Sequence, residues 1–415
     1  MIKKSAIYIS SSILSGIIPF LLLPILTRYL SPEEYGQVAM FNILVSGIGA
    51  ISGLSVSGAA GRRFFDRGVS TAELARFNGN CFIILLLSTS ATLFFLTITH
   101  NLISSYLDIP AQWIYFGVIV SFFNFSFNFR LVQWQVRGSA KTYGLLQIIN
   151  VAIVFGFSLL FVVSFELGGD GRVYATVITS MIIGCLSYLA LRNKKLLLFE
   201  YNYNDIKSAL NFGLPLIPHV LGGILLLSVD RLLVNRELGI ETTGIYMVAV
   251  SLGGALNMVF NSINKAYSPW LFSKLNESNI EQYIFIVKCT YGYFLFLVIM
   301  SILAFFISPP ILIIIVGERF HEAADVLPII ILGQVFLGMY LTVTNYIFYV
   351  KKTKYLSYIT LSSGLINIIL LLLFIPKYGI QGAAFSFMLA NFWQFLCTWF
   401  LSTRLFSMPW LFWRQ

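Results

Sequence analysis

The chain has 415 residues, of which 58% are hydrophobic and only 11% are charged, and its mean hydropathy is +0.84. Soluble domains carry roughly a quarter charged residues, so this composition excludes a soluble enzyme and a disordered protein. The net charge of +10 does not indicate a nucleic-acid partner, because so apolar a chain cannot form a wetted basic surface. The composition predicts an all-α polytopic membrane protein.

Apolar runs long enough to cross a bilayer recur along the whole chain. A hydrocarbon core of about 30 Å needs about 20 apolar residues in a helix. The ninth run is longer than one straight span, and its Pro309-Pro310 pair predicts a broken helix or a loop there. The twelve predicted spans are 5–27, 36–59, 78–98, 111–133, 144–165, 172–191, 209–234, 243–265, 284–316, 324–350, 356–375 and 380–403.

Basic residues set the expected orientation. Most of the 27 Lys and Arg residues fall in the termini and in alternate loops, on one side of the predicted membrane. Because cytoplasmic loops carry the excess of Lys and Arg, that side and both termini are predicted to be cytoplasmic. The positive charge is therefore mainly a signal of topology.

An internal repeat indicates two lobes. Shifts of about 210 residues superpose short motifs of the first half on the second, and an even number of spans in each half means that both halves insert with the same orientation. We expect a six-helix lobe over 1–200 and another over 201–415, around a central cleft suited to alternating access; the alternative is duplication in a structural protein. The matched positions are Arg28 with Arg236, Leu30 with Leu238, Gly36 with Gly244, Gly168 with Gly379 and Gly171 with Gly382.

Polar side chains at bilayer depth are the candidate site, because they are costly there and usually functional. Two spans carry them at helical spacing, so that each set shares one face. We interpret these stripes as lining a cavity, while hydrogen bonding between helices is the alternative. Arg130 points away from its stripe and is expected to extend to the inner headgroups. The stripes are Asn124 and Asn128 in the fourth span, and Asn257, Asn261 and Asn264 with Lys265 at the edge in the eighth.

The seventh span carries Asp230 and Arg231, where the repeat has leucine in the first half. Neighbours on a helix do not face each other, so one of the two is expected to face the cleft; an ion pair between lobes is the alternative. His219 is a further candidate because it titrates near neutral pH. Pro215 and Pro218 predict a bend in the same span.

Three arginines lie near the predicted membrane edges. Arg62 and Arg63 would lie at the inner mouth of the cleft and Arg28 at the outer mouth. The planar fork of arginine suits phosphate oxygens, so a basic cleft is suited to an anionic lipid head. Anchoring by positive charge at the inner face explains Arg62 and Arg63 equally well.

No nucleotide-binding loop, metal-ligand spacing or cofactor fingerprint occurs, and the short outer loops leave little room for a catalytic platform, so we expect no enzyme. The run Pro24–Gly36, the Asp230-Arg231 pair and the run Tyr378–Ala384 resemble the Wzx-type O-antigen and polysaccharide flippases. This family belongs to a superfamily that also includes multidrug and toxin extruders and lipid II flippases. The resemblance covers essentially the whole chain.

The resemblance implies a V-shaped fold with a cationic central cavity. It also implies export of an undecaprenyl-diphosphate-linked oligosaccharide across the bacterial inner membrane, with membrane lipids, a glycan polymerase and a chain-length regulator as partners. No cofactor is expected, and coupling to a proton or a sodium gradient stays open. Two other functions remain as alternatives: a multidrug extruder with deep acidic residues, and a non-transporting membrane partner of a glycan assembly complex.

Overall fold

The computed structural model describes residues 2–277, 279–350, 352 and 354–411, with side chains described at Leu14 and from Gly16 onward, except for His219 and 225–227. The described residues form α-helices with short 3₁₀ and π segments and no strands. The helices are α1 (Ile2–Tyr29), α2 (Pro32–Ile51), α3 (Val56–Arg63), α4 (Thr71–Leu107), α5 (Ala111–Val136), α6 (Ala140–Ser158), α7 (Gly168–Asn193), α8 (Tyr203–Gly213), α9 (Ile217–Leu238), α10 (Ile240–Asn276), α11 (Ile280–Val316), α12 (Ala323–Tyr349) and α13 (Lys354–Leu405).

These helices account for the predicted spans. Eight are long and apolar enough to cross a membrane, and two bent pairs, α2 with α3 and Tyr203–Ile224 with Ser228–Leu238, bring the count to ten. α13 joins two helices at Gly379, where the backbone leaves the helical region, and α1 contains a shorter apolar helix over Gly16–Tyr29. The prediction of an all-α membrane protein with about twelve spans is therefore confirmed.

Two expected breaks differ from the structure. α11 continues through Pro309 and Pro310 to Val316, so the predicted interruption there is wrong. At bilayer depth no water replaces lost backbone hydrogen bonds, so the helix keeps those on either side of the prolines. The segment with Pro215 and Pro218 forms a 3₁₀ turn over Leu214–Leu216, whereas the 53° bend lies further along, between Ile224 and Ser228.

The chain divides into two compact units by its contacts. The first comprises 1–22 and Tyr29–Leu232, and the second comprises Leu23–Arg28 and 233–415. The predicted division at residue 200 follows the sequence repeat and stays a prediction.

A segment of the first unit explains why that unit continues beyond α7. Residues 196–202 run along the start of α4, where the Asn80 side chain donates to the Glu200 carbonyl (2.9 Å) and accepts from the Asn202 amide (3.1 Å). The Arg76 guanidinium then pairs with Asp205 in α8 at 2.9 Å. These bonds fix α8 against α4.

The repeat is visible in the backbone. Gly168 and Gly379, matched in the sequence, begin their helices with φ of +57° and +58°. Asp108, which directly follows α4, and Gly317, which directly follows α11, also both have positive φ. The two halves differ at α2, which is broken, whereas its counterpart α10 is continuous from Ile240 to Asn276.

The two matched glycines have different surroundings. A Cβ on Gly168 would lie 1.9 Å from Glu34 Oε1, and a Cβ on Gly379 would meet nothing within 4 Å. Glu34 accepts from the Ser31 amide (2.8 Å) and from the Gly169 amide (3.0 Å), so it ties the start of α2 to the start of α7.

We predict that Gly168→Ala destabilises the protein more than Gly379→Ala. Both changes place alanine at a positive φ, at a cost of about 1–3 kcal/mol. Gly168→Ala also displaces the Glu34 carboxylate from a charged hydrogen bond, which adds about 2 kcal/mol. Unfolding in mixed micelles measures the difference, and equal losses for both variants would contradict the assignment of Glu34 as a tie.

Candidate functional site

The break between α2 and α3 positions the predicted arginines of the first unit. Gly53, Leu54 and Ser55 are all left-handed, with φ of +73°, +46° and +57°, and the two helices meet at 51°. Left-handed non-glycine residues are costly, so such a turn persists only where its surroundings hold it.

Neighbouring helices supply that support. The Gly53 amide donates to Ser88 Oγ in α4 (2.9 Å), and the Val56 amide donates to the Gly53 carbonyl (2.9 Å). The Leu54 carbonyl lies against Gly213 at the end of α8, where a Cβ would come within 2.1 Å of its oxygen. The turn therefore needs glycine at 213, and it directs α3 toward the end of α5.

Arg62 and Arg63 lie at the end of α3 in different environments. Arg62 is exposed, whereas Arg63 is half-buried, pairs with Asp66 at 2.9 Å and lies 5.8 Å from the Phe77 ring. α3 packs closely on α5, because a Cβ on Gly61 would lie 2.9 Å from Val132.

Two arginines of α5 that the sequence did not assign to the site lie beside α3. Arg130 is 5% exposed, with its guanidinium 4.2 Å from the Trp134 ring, so the expectation that it extends to the headgroups is wrong. Arg137, one i+7 step along the same face, lies 4.9 Å from the Phe64 ring and donates to the Gln133 carbonyl (3.2 Å). Burial lowers the pKa of the Arg137 guanidinium from its usual value.

We call Arg62, Arg63, Arg130 and Arg137 the α3–α5 basic cluster. In the described part of the chain Arg130 and Arg137 form no ion pair, and the Arg130 Nε atom is buried without a hydrogen-bond partner. The i, i+7 spacing of Arg130 and Arg137 in the sequence already indicated that they share one face of α5. The sequence did not indicate that α3 packs beside that face.

The asparagines of the first unit lie further along α5. Asn124 is half-buried and Asn128 is exposed. Ser121, which precedes Asn124 by one turn on the same face, donates to the Val45 carbonyl of α2 (3.2 Å), so this face of α5 takes part in bonding between helices.

The second unit carries the longer stripe on α10. The Asn261 side chain is exposed and donates to the Asn257 carbonyl (2.8 Å), and Lys265 is exposed. Asn264 accepts from the Asn345 side chain of α12 at 2.7 Å. Asn264 thus takes part in the interhelical bonding that was the alternative interpretation, while Asn257 and Asn261 bond within their helix.

The remaining predicted residues are placed as follows. Asp230 is 7% exposed and accepts from the Arg231 amide (2.9 Å), and its carboxylate lies 4.0 Å from the half-buried Arg231 Nε. Arg28 is exposed at the end of α1. The side chain of His219 lies outside the described part of the structure.

We predict a small coupling energy between Asn264 and Asn345. Hydrogen bonds between membrane helices contribute about 0.6 kcal/mol on average and at most about 1.7 kcal/mol. A double-mutant cycle with Asn264→Ala and Asn345→Ala, followed by unfolding in mixed micelles, should return a value in that range. Asn261→Ala combined with Asn345→Ala is the control, and coupling as large in the control would contradict the Asn264–Asn345 bond.

Known proteins resemble the chain over most of its length. "Lsg locus putative protein 1" of Haemophilus influenzae is 24% identical over 396 residues, which cover 92% of this chain and 94% of that protein. "Uncharacterized membrane protein" of the same organism is 24% identical over 375 residues, which cover 88% of each chain.

Solved structures show the same fold at low identity. An inward-facing multidrug resistance MATE family transporter of the MOP superfamily superposes with a TM-score of 0.71 at 13% identity, over 95% of this chain and 93% of that one. The Vibrio cholerae MATE transporter VcmN in its bent form gives a TM-score of 0.56 at 13% identity, over 98% of both chains. The fold is that of multi-pass membrane transporters.

A family model described as "Polysaccharide biosynthesis protein" matches residues 1–275, which is more than half of the chain. The chain therefore belongs to the polysaccharide biosynthesis protein family of multi-pass membrane proteins.

Proposed function

We propose that the protein is a flippase. It moves an undecaprenyl-diphosphate-linked oligosaccharide, such as an O-antigen or capsule repeat unit, from the inner to the outer leaflet of the bacterial cytoplasmic membrane by alternating access. The observation that carries the proposal is the α3–α5 basic cluster with its buried Arg130. The family membership supports a role in glycan assembly, and the transporter fold supports movement of a substrate across the bilayer.

The cluster has the chemistry of a diphosphate site. A cation kept from water without a counterion is costly, and a diphosphate in contact with it would offset that cost. Trp134 holds the Arg130 guanidinium by its ring face, which leaves edge N–H groups of the planar fork for phosphate oxygens. Arg62 is exposed at the end of α3, so it would be the first arginine of the cluster to contact the incoming diphosphate.

The distribution of acidic residues favours an anionic substrate over a cationic drug. In α2–α7 every Asp and Glu lies in the first turn of a helix or in a connecting loop. Glu34 is engaged by the amides of Ser31 and Gly169, and Asp170 accepts from the Trp113 indole (2.7 Å). A carrier of cations needs a carboxylate deep in its spans; α2–α7 have none, and the buried carboxylate of Asp230 in α9 is engaged by the Arg231 amide.

The amides of the two stripes are suited to the sugars: Asn128 and Asn261 are exposed, and Asn257 is half-buried. Asn128 in the first unit, and Asn257 and Asn261 in the second, offer both donors and acceptors, as hydroxyl groups of a glycan require. Lys265 beside the α10 stripe and Arg231 on α9 are proposed as further contacts to phosphate. We also propose that Arg28 and His219 contact the substrate along the transport path.

The likeness to MATE transporters favours a second candidate, an ion-coupled multidrug extruder. In either case we propose that both termini are cytoplasmic and that an ion gradient, of protons or sodium, drives the cycle. A glycan polymerase and a chain-length regulator are the proposed protein partners of the flippase.

The test replaces Arg130 and Arg137, the two arginines of the cluster that form no ion pair in the described part of the chain. We predict that Arg130→Gln and Arg137→Gln each reduce export of surface glycan about tenfold or more in a flippase-deficient strain, because each removes a charged hydrogen bond worth about 1.5 kcal/mol or more. Arg192→Gln, an exposed arginine at the end of α7, is the matched control and should export normally.

Protein levels in the membrane are measured by immunoblotting for all three variants. Normal glycan with both cluster variants would refute the site. Resistance to cationic dyes that depends on the protein, with no effect on glycan, would favour the extruder instead.

A further inference from the structure

Within the second unit, α10 and α11 enclose a cavity whose wall includes Asn264 of the α10 stripe but not Asn257, Asn261 or Lys265. The two helices meet beside the turn that joins them, where the Tyr283 hydroxyl donates to the Leu275 carbonyl (3.0 Å). Further into the spans they leave a cavity of about 250 Å³ with α12 as its floor. Its walls are mainly apolar and aromatic, among them Phe260, Tyr267, Trp270 and Tyr293.

A second cavity of about 360 Å³ continues the first toward the helix ends. Trp270 lines both, so the two cavities lie on either side of one side chain, and we call them together the α10–α11 groove. Its outer part is lined by Lys274, Glu281 and Gln282 together with Trp270, Phe285 and Ile286. The groove is therefore apolar along its length and gains charged side chains at the helix ends.

The length of the groove matches one leaflet. Phe260 and Lys274 are fourteen positions apart on α10, which at 1.5 Å per residue is about 21 Å. Half of a hydrocarbon core of about 30 Å is about 15 Å, so the groove reaches from the headgroup level to the middle of the bilayer. An amphiphile with an extended chain has this shape and this sequence of polarity.

The charges at the outer end indicate which amphiphile fits. Lys274 pairs with Glu277 at 2.9 Å, and Glu281 lies on the opposite wall. A polyprenyl diphosphate has negative charges alone and would meet two carboxylates for one lysine. A zwitterionic head, by contrast, satisfies both signs: its phosphate would share the Lys274 ammonium with Glu277, and a primary ammonium group would donate hydrogen bonds to Glu281.

We propose that the α10–α11 groove binds one phosphatidylethanolamine molecule of the surrounding leaflet, with an acyl chain along Trp270, Tyr267 and Phe260. A chain in the groove restores the packing contacts that the cavity walls lack. The bound lipid thereby holds α10, the helix with the Asn257–Asn261 stripe, against α11.

Photo-crosslinking tests the proposal on the intact protein. The protein is reconstituted in phosphatidylcholine vesicles with a small fraction of phosphatidylethanolamine that carries a diazirine on its acyl chain, and crosslinked peptides are mapped by mass spectrometry. The reference surface is the exposed apolar face of α4 at Phe94, Phe95 and Ile98. We expect at least fivefold more crosslinking at residues 260–270 and 289–293 than at this face, and saturable competition there by unlabelled phosphatidylethanolamine.

Two variants sharpen the result. Lys274→Gln should reduce crosslinking in the groove severalfold, and Ile263→Trp should block it by filling the groove at its partly exposed wall. Neither should change the signal at α4, which also reports that the variant is folded. Equal crosslinking at the groove and at α4 in the unaltered protein would overturn the proposal, as would competition by polyprenyl phosphate but not by phosphatidylethanolamine. Both outcomes are independent of whether the arginine cluster supports glycan export.

Discussion

Backbone amides and carbonyls at bilayer depth have no water to bind, so any departure from a helix there must be supported by protein atoms. The turn at Gly53–Ser55 shows what this requires. The Ser88 hydroxyl accepts from the Gly53 amide, and the absence of a side chain on Gly213 lets the Leu54 carbonyl pack against α8. Because the turn is held in this way, α3 leaves the line of α2 and carries Arg62 and Arg63 to the end of α5.

The same constraint makes the few intramembrane charges informative. Glu34 and Asp170 bond to amide and indole N–H groups at helix starts, and Arg76 pairs with Asp205, so these charges stabilise the fold. Arg130 is different, since it is buried against Trp134 and has no carboxylate partner in the described structure. A site for an anion would explain this arrangement, and the membership of a polysaccharide biosynthesis family is consistent with the proposed lipid-linked glycan diphosphate.

Much of the fold follows from the sequence because apolar run length and helix length are set by the same bilayer thickness. The matched Gly168 and Gly379 show that even a weak repeat locates equivalent turns. The break in α2 was not predicted, because glycine is frequent inside continuous membrane helices and the turn at Gly53 depends on Ser88 and Gly213. Arg130 was misplaced for a related reason: its direction on α5 was read correctly, but the packing of α3 and Trp134 that buries it involves distant parts of the chain.

The central claim is that the protein moves a lipid-linked glycan with a diphosphate head. The most direct test is to delete the gene and to measure, in spheroplasts, how much undecaprenyl-diphosphate-linked oligosaccharide is accessible from outside. The account predicts that this lipid accumulates on the inner leaflet, protected from an external enzyme, and that the gene restores its exposure. Unchanged exposure of the lipid after deletion, in a strain with no second flippase, would contradict it.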